Sequence, residues 1–87
     1  MKYQNNVTEK QGLKKYNYME IFNRIKIALV EKDKTGKWLA EQLGKSTCTV
    51  SKWCKNSIQP DIKTLNEIAN LMDVDVKDLL VSNKETL

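Results

Sequence analysis

One predicted helix edge in this sequence carries hydroxyl, thiol and ammonium groups and no carboxylate. At helical spacing this edge consists of Thr47, Cys48, Ser51, Lys52 and Lys55. Hydroxyl groups donate and accept hydrogen bonds, and lysine ammonium groups donate hydrogen bonds and carry positive charge. Groups of these types can contact base edges and phosphate oxygens together. The pattern therefore favours contact with a polyanion.

Two short helices joined by a tight turn are predicted to hold this edge. Thr35 is a good N-cap for the first of them, because its hydroxyl can accept a hydrogen bond from a free N–H of the first turn. Gly44 follows that helix, where a positive φ costs least without a β-carbon. Ser46 then caps the second helix, which runs to about Lys55. The side chains predicted to join the two helices are Trp38, Leu39, Ala40, Leu43, Val50, Trp53 and Cys54.

Apolar spacing and capping residues predict three further helices. The first runs from about Met19 to Glu31, and its apolar residues recur at four-residue spacing. The fourth begins after a cap at Asp61, and a short fifth begins after Asp75. The predicted core stripes are Ile21, Phe22, Ile25, Ala28 and Leu29 in the first, Ile62, Leu65, Ile68, Ala69 and Met72 in the fourth, and Val76, Leu79 and Leu80 in the fifth. No segment keeps the period of a strand, so the fold class predicted is all-α, with five helices around one core.

Length and composition indicate one small domain. Eighty-seven residues are too few for two domains. Residues 1–19 lack apolar periodicity and are rich in polar residues, so we expect a flexible N-terminal arm there. The helical domain is predicted to span residues 20–82, and residues 83–87 form a C-terminal tail.

Positive charge is concentrated in the middle of the chain. Residues 21–60 contain eight lysines and arginines against three acidic residues, whereas residues 61–87 contain three against six. This asymmetry indicates a partner with negative charge on one side of the domain. No apolar run is long enough to span a membrane, and no secretory signal is apparent, so we expect a cytoplasmic location without membrane association.

Catalysis, metal binding and cofactor binding receive little support from the sequence. There is no histidine to act as a base or a metal ligand, and there is no glycine-rich phosphate loop. Cys48 and Cys54 point about 120° apart on a helix and are separated by about 9 Å of rise, beyond disulfide reach. We therefore expect reduced thiols, no metal, no cofactor, no small-molecule ligand and no enzymatic activity.

The stretch Asn23–Leu80 resembles the phage-repressor-like (lambda repressor and Cro, or XRE) helix-turn-helix family. The matching pieces are NRIKIALVEKD, KWLAEQLGKSTCTVSKWCKN and QPDIKTLNEIANLMDVDVKDLL, which together cover about two-thirds of the chain. The resemblance implies a five-helix domain that binds double-stranded DNA operators, usually as a homodimer, and most often represses transcription. One departure stands at the start of the second helix, where many members have a phosphate-binding glutamine and this chain has Gly36.

The family's DNA-contacting positions can be carried over to this sequence. The resemblance and the helix geometry assign base reading to Ser46, Thr47, Cys48, Ser51 and Lys52. They assign phosphate binding to Gly36, Lys37, Lys55, Asn56, Ser57, Gln59 and Lys63. Cys48 hydrogen-bonds weakly, so we expect it to make an apolar contact, for example with a thymine methyl group.

The leading hypothesis is a small transcriptional regulator, most simply a repressor that binds a palindromic operator as a homodimer. The fifth helix and the tail Val81–Leu87 are its expected dimer interface, because Leu79, Leu80 and Val81 provide more apolar surface than one short helix needs to bury.

A second hypothesis is a helix-turn-helix scaffold used as a protein-interaction module, of the antitoxin or anti-repressor type. The acidic C-terminal third and the apolar edge of the first helix at Ile27 and Val30 would supply its interface. A third, the controller of a restriction–modification system or mobile element, shares the chemistry of the first. Two assignments stay open: Trp38 either packs or stacks on DNA, and the lysines of the arm either face solvent or enter the minor groove.

Overall fold

Residues 21–84 are described by the computed structural model, and they form a small bundle of helices. The four α-helices are α1 (Ile25–Glu31), α2 (Gly36–Leu43), α3 (Thr47–Cys54) and α4 (Ile62–Met72), and a 3-10 helix follows at Val76–Leu79. The predicted all-α class is confirmed. Among these residues, strand-type pairing is limited to one antiparallel bridge between Asn23 and Leu80. The predicted N-terminal arm and the last three residues of the tail lie outside the described part.

The first helix begins later than predicted, at Ile25 instead of about Met19. The residues just before it are not helical, because Oδ1 of Asn56 accepts hydrogen bonds from the backbone N–H groups of Phe22 and Asn23, both at 2.9 Å. These N–H groups are thereby held by a side chain from a distant part of the sequence. Ile21 and Phe22 were predicted to belong to the core but are 60% and 54% exposed.

The core is built from all four helices and the 3-10 helix. Its buried apolar residues are Ile25, Ala28, Leu29, Leu39, Ala40, Val50, Trp53, Leu65, Ile68, Ala69, Met72 and Leu79. The predicted stripe on α4 is right except for Ile62, which is 77% exposed. Ile62 is the first residue of α4, at the end of the stripe and outside the part of the helix that the core covers.

The predicted fifth helix is a single 3-10 turn. Asp75 caps it as predicted, since its Oδ1 accepts from the N–H of Lys77 at 3.0 Å. Leu79 ends the turn and is fully buried, whereas Leu80 has extended backbone angles and is 44% exposed, so the prediction that Leu80 belongs to a core helix is wrong. Extended backbone at Leu80 allows the chain to pair with the segment that precedes α1.

The paired segments join the two ends of the described chain. The N–H of Arg24 donates to the carbonyl of Leu79 at 2.8 Å, and the N–H of Val81 donates to the carbonyl of Phe22 at 3.0 Å. None of the helices in residues 21–84 has the length and apolar character needed to cross a bilayer.

Candidate nucleic-acid interface

The turn between α2 and α3 has the geometry that the sequence predicts. Oγ1 of Thr35 accepts a hydrogen bond from the N–H of Trp38 at 3.0 Å and so caps α2. Gly44 ends the helix with φ at 68°, in the left-handed region. Because the chain turns there, the N–H of Lys45 donates back to the carbonyl of Ala40 at 2.9 Å. The predicted turn residue is confirmed.

The predicted cap and the two faces of α3 are also found. Oγ of Ser46 accepts from the N–H of Thr49 at 3.0 Å, which caps the helix. Val50 and Trp53 point into the core and are 0% and 5% exposed. The residues predicted to read bases are all exposed: Ser46, Thr47, Cys48, Ser51 and Lys52. The structure therefore leaves one edge of α3 free and buries the other.

Trp38 packs within the fold. It is partly buried and lies against the core cluster. Nζ of Lys34 lies 4.9 Å from the centroid of its ring, which is within cation–π distance. This arrangement agrees with the packing interpretation of Trp38 and not with a ring free to stack on DNA.

Asn56 and Gln59 form hydrogen bonds within the protein that the sequence did not indicate. Asn56 has a positive φ of 63°, and its Nδ2 donates to the carbonyl of Asn23 at 3.1 Å while its Oδ1 accepts from the N–H of the same residue. Oε1 of Gln59 accepts from Nδ2 of Asn23 at 2.6 Å, and Nε2 of Gln59 lies 3.3 Å from the carbonyl of Asn56. Both amides assigned to phosphate are thus engaged within the protein, because each bonds to the segment before α1 or to its own loop.

The other residues predicted to bind phosphate differ in their exposure to solvent and in their hydrogen bonds within the protein. Lys37, Lys55 and Lys63 are exposed. Ser57 is exposed too, but its hydroxyl donates to the carbonyl of Lys52 at 3.2 Å. The partly buried Gly36 sits at the start of α2, where only a backbone N–H can contact a phosphate.

Lys45 is a further exposed cation that the sequence analysis did not single out. Hydrogen bonds from Thr64 are the main cause of a lowered pKa at Asp61, and the positive charges of Lys45 and Lys63 add to that lowering. Lys45 in the turn and Lys63 on α4 therefore both contribute to the lowered pKa of the Asp61 carboxyl. The feature of the sequence that could have identified Lys45 is its position in the turn, directly before Ser46, the N-cap of α3.

The two cysteines are free thiols in different surroundings. Cys48 is exposed on the outer edge of α3, and Cys54 is partly buried against the core. Burial raises the pKa of the Cys54 thiol, and the positive charge of Lys26 opposes this in part. Residues 21–84 bring together no group of three side chains that could hold a metal ion.

The order and geometry of these helices match a known protein family. The Helix-turn-helix family matches residues 25–79, from the start of α1 to the end of the 3-10 helix. The chain belongs to the helix-turn-helix family. The resemblance to the XRE type is therefore confirmed, and α2 and α3 are the two helices of the motif.

A solved structure supports the same membership. The helix-turn-helix chain is similar to the crystal structure of a "putative DNA-binding protein" from Bacteroides fragilis, with 49% sequence identity and a TM-score of 0.67. The match covers 68% of this chain and 95% of that chain. No curated protein gives a significant match. In helix-turn-helix domains that bind DNA, the second helix of the motif lies in the major groove while the first crosses the backbone.

Proposed function

We propose that this protein binds double-stranded DNA sequence-specifically and regulates transcription. The observation that carries the proposal is the division of α3 into a buried edge around Val50 and Trp53 and an exposed edge of small polar and lysine side chains. No acidic residue occurs between Gln42 and Pro60, so this edge has no like charge on α3 to repel phosphates. We propose a binding role instead of a catalytic one, because the sequence has no histidine base and no glycine-rich phosphate loop.

Residues at different positions along α3 are suited to different contacts with DNA. Residues at the N-terminal end of a recognition helix contact base edges, which favours Thr47 and Cys48 as the residues that contact bases. Lys52 lies one turn further and can reach a base or a phosphate. Lys55 and the exposed Lys37 at the start of α2 are suited to phosphates on either side.

We propose further that the protein acts as a homodimeric repressor on a palindromic site. Leu80 and Val81, 44% and 38% exposed, line a surface groove with Ile21 and Ile27, and apolar side chains exposed together favour contact with another protein. Leu79, which the sequence analysis assigned to this interface, is buried inside the domain. Two α3 helices of a dimer would enter major grooves about 34 Å apart. Such a dimer would repress by occluding polymerase.

A protein-interaction role is the second candidate. Val30 is 65% exposed and Ile27 45% exposed on α1. An apolar edge of this kind is what a partner protein would cover. The two functions predict different results in a DNA-binding assay.

The test is selection of bound duplexes from a random pool at physiological salt, followed by measurements on variants. Replacing Thr47 or Lys52 by alanine should weaken binding to the selected duplex by about 1–3 kcal/mol and relax the sequence preference at one position. Lys55→Ala should weaken binding to all duplexes and reduce the log–log salt slope by about one unit.

Lys77→Ala is the matched control, because it removes the same charge from the 3-10 helix, where Lys77 is 77% exposed. The control should bind like the wild-type protein. Absence of binding to any duplex at low salt would overturn the proposed function and favour the interaction module.

A further inference from the structure

Asn23 is a buried polar residue just before α1, only 4% exposed. Its Nδ2 donates to the carbonyl of Trp53 at 3.0 Å and to Oε1 of Gln59 at 2.6 Å. Its Oδ1 accepts from the N–H of Ile25 at 3.0 Å, which starts α1. A buried amide is tolerated when its hydrogen-bonding groups have partners, and this one finds them on three different elements.

Asn56 bonds back to the same segment. Its Oδ1 accepts from the N–H groups of Phe22 and Asn23, and its Nδ2 donates to the carbonyl of Asn23. We call Asn23, Asn56 and Gln59 the amide clasp. The clasp joins residues 33 and 36 positions apart, so it sets tertiary geometry and not local structure.

The clasp closes on the last turn of α3. That helix has eight residues, and helices of this length are not stable without contacts at their ends and sides. The carbonyl of Lys52 accepts from the N–H of Ser57 at 3.0 Å, so the chain after α3 folds back onto the helix. The carbonyl of Trp53 is held by Asn23 and by the N–H of Asn56, at 3.0 Å each. Lys52 and Lys55 therefore project from a turn whose orientation the clasp determines.

We propose that Asn23 is a positioning residue for DNA binding. It is too deeply buried to touch DNA, and it acts by holding the last turn of α3 and the loop at residues 55–59 against the start of α1. The lysines of that turn then meet bases and phosphates in one fixed arrangement. This inference rests on the proposed DNA-binding function and adds a residue to it that no DNA contact would reveal.

The test compares variants that open the clasp with one that only lowers stability. Asn23→Ser keeps a short oxygen that can accept from Ile25 but cannot span to Trp53 and Gln59. Asn56→Gly deletes the amide while leaving a residue suited to positive φ. Ile68→Val is the control, because Ile68 is fully buried on α4 and belongs to no part of the clasp. Affinities for the selected duplex and for an unrelated duplex are measured at a temperature where circular dichroism shows each protein folded.

We expect Asn23→Ser and Asn56→Gly each to weaken binding to the selected duplex about tenfold, as the loss of one base contact does, and to leave binding to the unrelated duplex nearly unchanged. The double variant should lose no more than either single variant, because both changes open the same clasp. Amide hydrogen exchange at Ser57 should be faster in the clasp variants and unchanged in Ile68→Val.

Wild-type affinity in folded Asn23→Ser would overturn the positioning role while leaving the proposed function intact. An equal loss in Ile68→Val would overturn it as well, since lowered stability alone would then explain the effect. If Asn23→Ser does not fold, Asn56→Gly provides the same comparison. Failure of the wild-type protein to prefer any duplex would instead remove the proposed function, and the positioning role with it.

Discussion

Gly36 of α2 lies beside Val50 of α3, and a β-carbon added to the glycine would be 3.6 Å from Cγ1 of Val50. This distance is an ordinary van der Waals contact, so the two helices of the motif leave room for a side chain at this point. The glycine is therefore not needed for the close approach of the helices. Gly44 differs, because a β-carbon there would meet nothing within 4 Å but the backbone has φ at 68°.

We therefore expect opposite effects from alanine at these two glycines. Gly36→Ala should raise the free energy of unfolding by about 0.5 kcal/mol, because it reduces the conformational freedom of the unfolded chain without strain in the folded one. Gly44→Ala should lower it by about 1 kcal/mol, because L-residues are disfavoured at positive φ. Urea denaturation measures both changes. Destabilisation by Gly36→Ala would show that the 3.6 Å contact is not tolerated.

The two isoleucines of α4 should respond very differently to the loss of one methylene group. Ile68 is fully buried, so Ile68→Val should lower the free energy of unfolding by about 1 kcal/mol. Ile62 is 77% exposed, so Ile62→Val should change it by less than about 0.5 kcal/mol. Denaturant midpoints at a constant m-value provide the comparison. Equal losses would mean that Ile62 is covered in solution, for instance by a second copy of the chain.

Thiol alkylation can map the DNA-facing edge of α3. Cys48 is exposed, whereas burial raises the pKa of Cys54 and lowers its thiolate fraction at neutral pH. We expect iodoacetamide to modify Cys48 first, and we expect the selected duplex to slow that reaction severalfold. Mass spectrometry of digested protein reports each site separately. Cys48→Ser is the control for modification at Cys54, and a duplex that binds without protecting Cys48 would place the interface elsewhere.

The cap of α4 should make stability depend on pH at the acidic end. Oδ1 of Asp61 accepts from the N–H of Thr64 at 2.8 Å, and hydrogen bonds from Thr64 lower the pKa of this carboxyl. Because the pKa is lowered on folding, its contribution to stability is present above the ordinary aspartate pKa and is lost as the pH falls through the folded-state value. Asp61→Asn retains a capping side chain and should flatten the change in melting temperature between neutral and strongly acidic pH.

An NMR titration of the Asp61 carboxyl provides the direct measurement. Its pKa should lie below that of an aspartate in a flexible peptide. Asp61→Ala should be less stable than Asp61→Asn at neutral pH, because alanine removes the cap at every pH. A titration at the ordinary aspartate value would contradict the cap as the cause.

Local signals in the sequence were enough for the helix-turn-helix itself. The caps at Thr35, Ser46, Asp61 and Asp75 each act on an N–H two or three residues away. Gly44 acts within its own turn. Interactions that span a few residues leave a readable pattern, and the sequence therefore indicated the motif, its order and the exposed edge of α3.

Predictions from the sequence were wrong where contacts with distant residues outweigh the local preference for a helix. Ile21 and Phe22 continue the apolar spacing of α1, but the amide of Asn56 and the pairing with the segment around Leu80 hold this stretch in a non-helical conformation. Leu80 has the spacing of a helical core residue, but pairing with the segment around Asn23 extends it. Ile62 fits the period of its helix, yet periodicity does not show how far along the helix the core extends.

The sequence by itself determined α2, α3 and α4 with their caps, the cap at Asp75 and the family, because each of these depends on residue types a few positions apart. Only the tertiary structure decided the start of α1 and the engagement of the Asn56 and Gln59 amides within the protein. Those features depend on hydrogen bonds between residues more than thirty positions apart, and a spacing pattern along one helix carries no information about which distant amide will meet it.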